Sequence, residues 1–385
     1  MLGGSLLVAG TAIGGGMLAL PVLTAAAGFV PTILVYLLSW LFMVGTGLLF
    51  VEIFLWRSEE INIVSMAKMT LGWPGQLIAW FLYIFLFYSL TVAYTSAGGH
   101  LVIDLFRMLP AWAGPLLFML VFAPFVIIGP WAVDRINWLL MVGLIVSFFL
   151  FVVMGFTKIN TSLLQHEDWS KTLIAIPVVF TSFGFQGLVP TLTNYLGRDP
   201  YRVKKAIFWG STIPFVVYII WEVLILGVVP LSGLKVALEL GQSAVFPLKN
   251  ILNLSWLYTA GQFFAFFAIV TSFLGVTLGL TDFLFDGFRL QRTIFTRLFI
   301  AFCIFLPTVI IAMTNPYLFL NALQYGGGFG CAVLLGLLPI IMAFSGRYIL
   351  KFEGVRVLKG GLTLLSIMTI FILLVIGAMF AKFVF

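Results

Sequence analysis

Apolar runs of about 18 or more residues, each long enough to cross the hydrocarbon of a bilayer as a helix, follow one another along all 385 residues of this chain. In lipid every backbone N–H and C=O has to be satisfied within the protein, which leaves only helices and closed barrels. The period-two alternation of a membrane barrel is absent, so the sequence specifies an all-α polytopic membrane protein. No segment remains for a soluble domain, since 62% of the residues are hydrophobic and 9% charged, against about 25% charged in globular chains. The formal net charge of +7 comes from Lys and Arg on short loops between apolar runs. That is a topology signal, and it argues for lipid and against nucleic acid as a partner. Cys303 and Cys331 fall inside apolar runs and indicate neither a disulfide framework nor a metal site.

Eleven transmembrane helices are expected, at about 2–25, 30–56, 73–103, 112–131, 136–157, 171–195, 206–229, 254–283, 294–313, 318–343 and 360–382. With the N-terminus in the cytoplasm, fourteen of the 20 Lys and Arg residues lie inside. Arg107, Lys158, Lys171, Lys235, Lys249 and Lys382 lie outside. This is the positive-inside bias of a multi-pass plasma-membrane protein. Ala25, Ala26 and Ala27 offer a signal-cleavage-like end to the first run, but no basic region precedes it and glycines interrupt it, so it is read as a retained span.

From the first five spans to the next five, starting positions shift by 169, 176, 181, 182 and 182 residues. A weakly amphipathic connection follows the second member of each set, at 59–72 and 232–250. Because five is odd, the second set stands upside down relative to the first. The chain 1–385 is thus a single transmembrane domain with an inverted repeat, about 1–158 and 170–344, plus an extra C-terminal helix at 360–382. Inverted repeats hold their binding sites near the bilayer midplane, on broken helices in matching positions.

Spans one and six match in this way, and both are interrupted. Span one reads Ala9-Gly10-Thr11-Ala12-Ile13-Gly14-Gly15-Gly16-Met17 before Pro21. Each interior Gly costs roughly 1 kcal/mol against Ala, and backbone that departs from the helix at this depth survives only where it is buried in protein or lines a cavity. Gly10 and Gly14 would also serve a small-xxx-small packing face, but Gly15 and Gly16 are unnecessary for one. Span six reads Phe180-Thr181-Ser182-Phe183-Gly184-Phe185-Gln186-Gly187-Leu188-Val189-Pro190.

The 9–21 segment, the Thr-Ser-Phe-Gly-Phe motif at 181–185 and the Ala-x-x-Thr-Ser-Phe-Leu-Gly-Val-x-Leu-Gly-Leu run at 268–280 resemble the bacterial hydroxy and aromatic amino acid permeases. The tyrosine- and tryptophan-specific permeases of the amino acid-polyamine-organocation superfamily are the most similar members. The resemblance covers essentially the whole chain. It implies the LeuT-like five-plus-five fold with helices 1 and 6 broken, a bacterial inner-membrane location, and no cofactor beyond a coupling ion, H+ or Na+. A departure from the family pattern is Gln186, where relatives carry His, so a protonatable role at that position is in doubt.

An amino acid offers a carboxylate and an ammonium. Orphan N–H groups at a half-helix N-terminus suit the former, and Gly14, Gly15, Gly16 and Met17 supply them, with Thr11 and Ala12 alongside. Carbonyls of Phe180, Thr181 and Ser182 suit the ammonium. An aromatic side chain wants ring faces and a polar partner, for which Phe183, Phe185, Gln186, Tyr88, Phe273 and Tyr325 are candidates. Most of the 41 Phe residues nevertheless face lipid or other helices. For the coupling ion, Ala268, Thr271 and Ser272 share one helical face. In sodium-coupled transporters of this fold a similar motif forms a sodium site with carbonyls of the first helix, here Gly10 and Ile13. Alternatively, the two hydroxyls bond back to their own helix. Some proton-coupled members place a Lys from span five there, and 134–157 has none in its interior. Glu222, the deepest carboxylate, is a coupling candidate by its depth; Glu52, Asp104, Asp282 and Asp286 lie nearer span ends and are expected at the interfaces.

The reading is a monomeric symporter that imports an aromatic amino acid by alternating access, with tyrosine as the first choice and tryptophan or phenylalanine as the alternatives. A membrane-embedded enzyme acting on lipid-linked substrates needs clustered His, Asp or Glu at one face, and the 13 acidic residues are scattered. A channel needs rings of charge or carbonyls about a pore. The glycine cluster at 326–330 of span ten reads equally as a hinge or a close-packing surface.

Overall fold

The computed structural model describes residues 1–58, 61–106, 110–250, 255–315 and 318–384, without the side chains of Ile174, Asn250, Ser255 and 381–384. Arg107 and the Lys382 side chain, both assigned to the outer face above, lie outside the described residues. Among those residues the chain is all-helical, with nine helices long and apolar enough to cross a membrane. An isolated antiparallel bridge joins Gly28 and Glu167.

The first expected span is two short helices, Leu2–Ala12 and Leu20–Thr24, with a 3-10 turn Gly15–Leu18 between them. Span two is Phe29–Leu55, started by Gly28 at φ 89°. Asn62 caps the next helix by accepting from Ser65 N at 2.9 Å. That helix, Ile63–Leu105, is interrupted at Gly72 (φ 73°, ψ −163°), so the amphipathic connection and span three meet at the left-handed glycine. Span four is the 16-residue Ala113–Ile128. Span six is Thr172–Ser182, the 3-10 turn Gln186–Leu188 and Val189–Tyr195. Span seven, Pro200–Val228, begins at Asp199, whose carboxylate accepts from Tyr201 N and Arg202 N. Spans eight, nine and eleven are Ser255–Gly287, Ile294–Thr314 and Gly361–Val384.

Spans five, seven and ten differ from the sequence expectation in length, and span seven starts at Pro200 rather than at 206. Span five starts at Pro130 rather than at 136, because Gly129 (φ 113°) turns the chain and Pro130 occupies the first helical turn, where its missing N–H costs nothing. Span ten runs to Ile349 instead of ending near 343. Its turns loosen to π geometry at Ala322–Gly327, Cys331–Leu337 and Ser345–Ile349. The extension carries Arg347 into the protein, where it grips Glu52 through two bonds of 2.6 and 2.7 Å. Glu52, three residues from the end of span two, is therefore buried within the protein at 1% exposure. A buried charge survives only when paired and hydrogen-bonded, and Val357 N also donates to Glu52 while Arg347 donates to Leu358 O.

The span-ten glycines are a packing surface. A Cβ at Gly326, Gly328 or Gly330 would stand within 2.3–2.9 Å of Ser89, Pro177 and Leu86 respectively, which draws span ten against spans three and six. Close approach of the same kind sets Gly210 of span seven against Ser5 and Val8 of span one, and Gly143 of span five against Phe267 of span eight.

Candidate functional site

At Ile13 the backbone leaves the helix (φ −74°, ψ 106°), and Gly14 is extended. The ladder resumes only when Met17 N donates to Gly14 O at 3.1 Å. An extended φ is open to any residue, so the reason for glycine here is contact. A Cβ on Gly14 would lie 2.2 Å from Ser272 Oγ, on Gly15 2.7 Å from the Tyr94 ring, and on Gly16 3.0 Å from Ser182 Oγ. Spans three, six and eight thus converge on the break. Gly15 N donates to Ser272 Oγ at 2.8 Å. Among the described residues no acceptor takes the Gly14 or Gly16 N–H, which leaves two donors of the kind an anion seeks.

Span six breaks after Ser182. Phe183 has left helical geometry (φ −91°, ψ 10°), Gly184 N bonds back to Thr181 O at 3.3 Å, and the chain turns through Phe185 before Pro190 seats the next half-helix. Tyr218 of span seven joins the two breaks. Its hydroxyl lies 2.6 Å from Ala12 O and 2.7 Å from Ser182 O. The hydroxyl has one hydrogen for these two acceptors, the first at the end of the N-terminal half of span one and the second at the end of the N-terminal half of span six. One turn further along span seven, Glu222 accepts from Tyr36 Oη at 2.7 Å and from Thr24 Oγ1. Tyr36, Tyr218 and Phe183 stack edge to face, with centroids 5.0–6.4 Å apart.

Of the residues picked from sequence, Gly14, Gly15, Gly16, Ser182, Ala268 and Ser272 come together: Ala268 O is 4.0 Å from where a Gly14 Cβ would be. Ala12 contributes its carbonyl to Tyr218, and Met17 is buried just beyond. Phe183 joins the aromatic cluster. Others point elsewhere. Thr11 is exposed and donates to Leu7 O. Thr271 donates back to Phe267 O and Ala268 O. Thr181 donates to Pro177 O and Leu323 O. Phe180 packs on Phe42, and Phe185 fills the space beside Gly47 of span two. Gln186 is wholly buried against span two, donating to Met43 O and Thr46 Oγ1 while accepting from Phe185 N. Tyr88 donates to Cys303 O, and Phe273 packs on Phe118 and Phe305. Tyr325 sits half-buried in the π turn Ala322–Gly327, and Gly10 faces Met141. Sequence reasoning missed Tyr36, Tyr94 and Tyr218; the available signal was a tyrosine deep within an otherwise apolar span.

A cleft of about 390 Å³, mouth included, opens beside the centre, between Ala97, His100 and Asp104 of span three and Tyr258, Gln262 and Ile269 of span eight. Asp104 pairs there with Lys249 at 3.1 Å and accepts from Tyr258. Outside the spans, the Ser170 hydroxyl donating to Asp168 holds that carboxyl below its usual range.

Over 98% of both chains this fold is similar to the crystal structure of MhsT in complex with L-phenylalanine, at TM-score 0.71 and 17% identity. A family model described as the tryptophan/tyrosine permease family matches residues 1–378. A tryptophan-specific transport protein of Haemophilus influenzae is 33% identical over 90% of this chain and 88% of its own length. Tyrosine-specific transport system 2 of the same organism is 31% identical over 90% and 87%. The low affinity tryptophan permease of Escherichia coli is 30% identical over 89% and 86%. Fold and relatives define the class: a membrane transport protein of LeuT-like architecture, not an enzyme. Within that class the chain belongs to the tryptophan/tyrosine permease family.

Proposed function

We propose that this chain imports an aromatic amino acid, tyrosine, across the bacterial inner membrane with a cation, acting as a monomer whose N-terminus lies in the cytoplasm. The observation that carries the reading is the meeting of two broken helices. The unused N–H groups of Gly14 and Gly16 suit the substrate carboxylate, and the carbonyls across the break at 181 and 182 suit its ammonium, since each carbonyl retains a second lone pair. Side chains of Tyr94, Phe183 and Ser272 border that space. Alternating access follows from rocking of one repeat, about 1–158, against the other, about 170–344. The relatives' names include both tryptophan and tyrosine, so the side-chain preference is the part to be measured directly.

The test is uptake of labelled tyrosine by proteoliposomes under an imposed cation gradient, with tryptophan and phenylalanine as competitors and a sodium-free arm. Saturable, gradient-driven uptake and counterflow are expected, and Gly14→Leu, whose side chain would collide with Ser272, abolishes both. Uptake indifferent to the gradient and to that substitution sinks the mechanism.

A further inference from the structure

The carboxyl of Glu222 is fully buried in span seven, and among the described residues neither Lys, Arg nor His pairs with it. Groups facing it are Thr24 from the outer half of span one, Tyr36 from span two and, one turn away on its own helix, Tyr218. An acid at this depth without a cationic partner is a functional candidate, and the hydrogen atoms around it show what it can do. Thr24 Oγ1 is within bonding distance of two acceptors, Leu20 O at 2.8 Å and Glu222 Oε1, yet a hydroxyl has one hydrogen. With Glu222 ionised, that hydrogen turns to the carboxylate, and Leu20 O keeps only its place in the helical ladder. With Glu222 protonated, the acid's own O–H donates to Thr24 Oγ1, whose hydrogen then satisfies Leu20 O. Tyr36 donates to the other carboxyl oxygen in both cases. The pocket therefore has a complete set of partners for one added proton, and taking it up switches the Thr24 hydroxyl from Glu222 to Leu20 O.

We infer that Glu222 is the site where this carrier holds its coupled proton, with Thr24 as the hydroxyl that changes partner. The inference rests on the transport reading above and deepens it. The proton enters from the outer water, adds to one carboxylate oxygen, and leaves to the cytoplasm with the substrate, so one positive charge crosses per zwitterionic amino acid. Coupling is direct in space, because Thr24 closes the outer half of the first broken helix, while Tyr36 and Tyr218 contact Phe183 at the second break.

Proteoliposomes loaded with wild type and Glu222→Gln decide the matter. At one proton per substrate, wild type accumulates tyrosine by about tenfold per imposed pH unit, and acid enters with it. Glu222→Gln is expected to lose accumulation and proton co-entry, while retaining slowed, pH-independent exchange of internal for external tyrosine. Proton co-entry at the wild-type ratio in Glu222→Gln overturns the assignment, as does wild-type accumulation that follows a sodium gradient and ignores pH. If wild type neither exchanges nor accumulates tyrosine or tryptophan, the transport reading itself has failed. In that case, or if Glu222→Gln is inactive in exchange, infrared difference spectra across the pH range judge the proton site on its own. A buried protonated-carboxyl band that shifts in frequency in Thr24→Val supports it, and the absence of such a band overturns it.

Discussion

The ion pair between Glu52 and Arg347 allows a prediction with internal controls. Arg347→Met leaves a buried carboxylate whose remaining donor is Val357 N at 2.9 Å, and Glu52→Met leaves a buried guanidinium with Leu358 O at 3.0 Å. Removing one member of a buried pair costs about 3–5 kcal/mol, chiefly because a lone charge is stranded. In the double variant no charge is left. What remains unpaired is one buried N–H and one part-buried C=O, at about 1–3 kcal/mol each. The singles therefore sum to roughly 6–10 kcal/mol while the double loses less, a coupling of several kcal/mol between the two sites. Reversible unfolding in mixed detergent micelles, followed by tryptophan fluorescence, gives the three values. Additivity of the two single losses to within about 0.5 kcal/mol would refute the reasoning, because it would mean that each side chain acts alone.

Gly15→Ala is expected to weaken tyrosine binding, measured by titration calorimetry, by roughly 5- to 150-fold, since its Cβ meets the rigid Tyr94 ring at 2.7 Å and overpacking costs about 1–3 kcal/mol. Gly187→Ala, in the other break but with nothing within 4 Å, is the control and binds as wild type; equal losses in both variants would contradict the packing account. Tyr218→Phe leaves Ala12 O and Ser182 O without their shared donor and lowers initial uptake rates by roughly 5- to 150-fold, with an unchanged rate counting against the link. Gln186→Leu lowers the melting temperature but leaves the tyrosine-to-tryptophan competition ratio unaltered, because its polar atoms are committed to span two; an altered ratio would show that it contacts the substrate.

Much of the architecture was legible because lipid removes choices. Apolar length announced the spans, and consecutive glycines in span one had no use in a continuous helix. The positions that eluded the sequence are those decided by a partner far along the chain. Arg347 reads as a loop residue until Glu52, 295 positions away, supplies a reason to bury it. Tyr218 looks like any aromatic in a span until two carbonyls from different halves face it. Gln186 is a pocket candidate by proximity to a break, yet a break frees backbone groups, and here its side-chain oxygen answers one of them, Phe185 N, while its amide nitrogen reaches to Met43 and Thr46. Thr11 sits in the same motif as Gly14 but is exposed, and its hydroxyl donates to Leu7 O of its own half-helix.

The connection before span six has a practical use that follows from its fastening. Asp168 N donates to Ala27 O at 2.8 Å, His166 Nε2 lies 3.1 Å from Ala26 O, and Asn160 N donates to Gly227 O at 2.7 Å. The strap is thereby sewn to the C-terminal ends of spans one and seven while its own residues Ser162 and Trp169 stay exposed. A swing of those ends carries the strap with it, so a dye or spin label at the exposed Ser162 becomes a gauge of the working cycle.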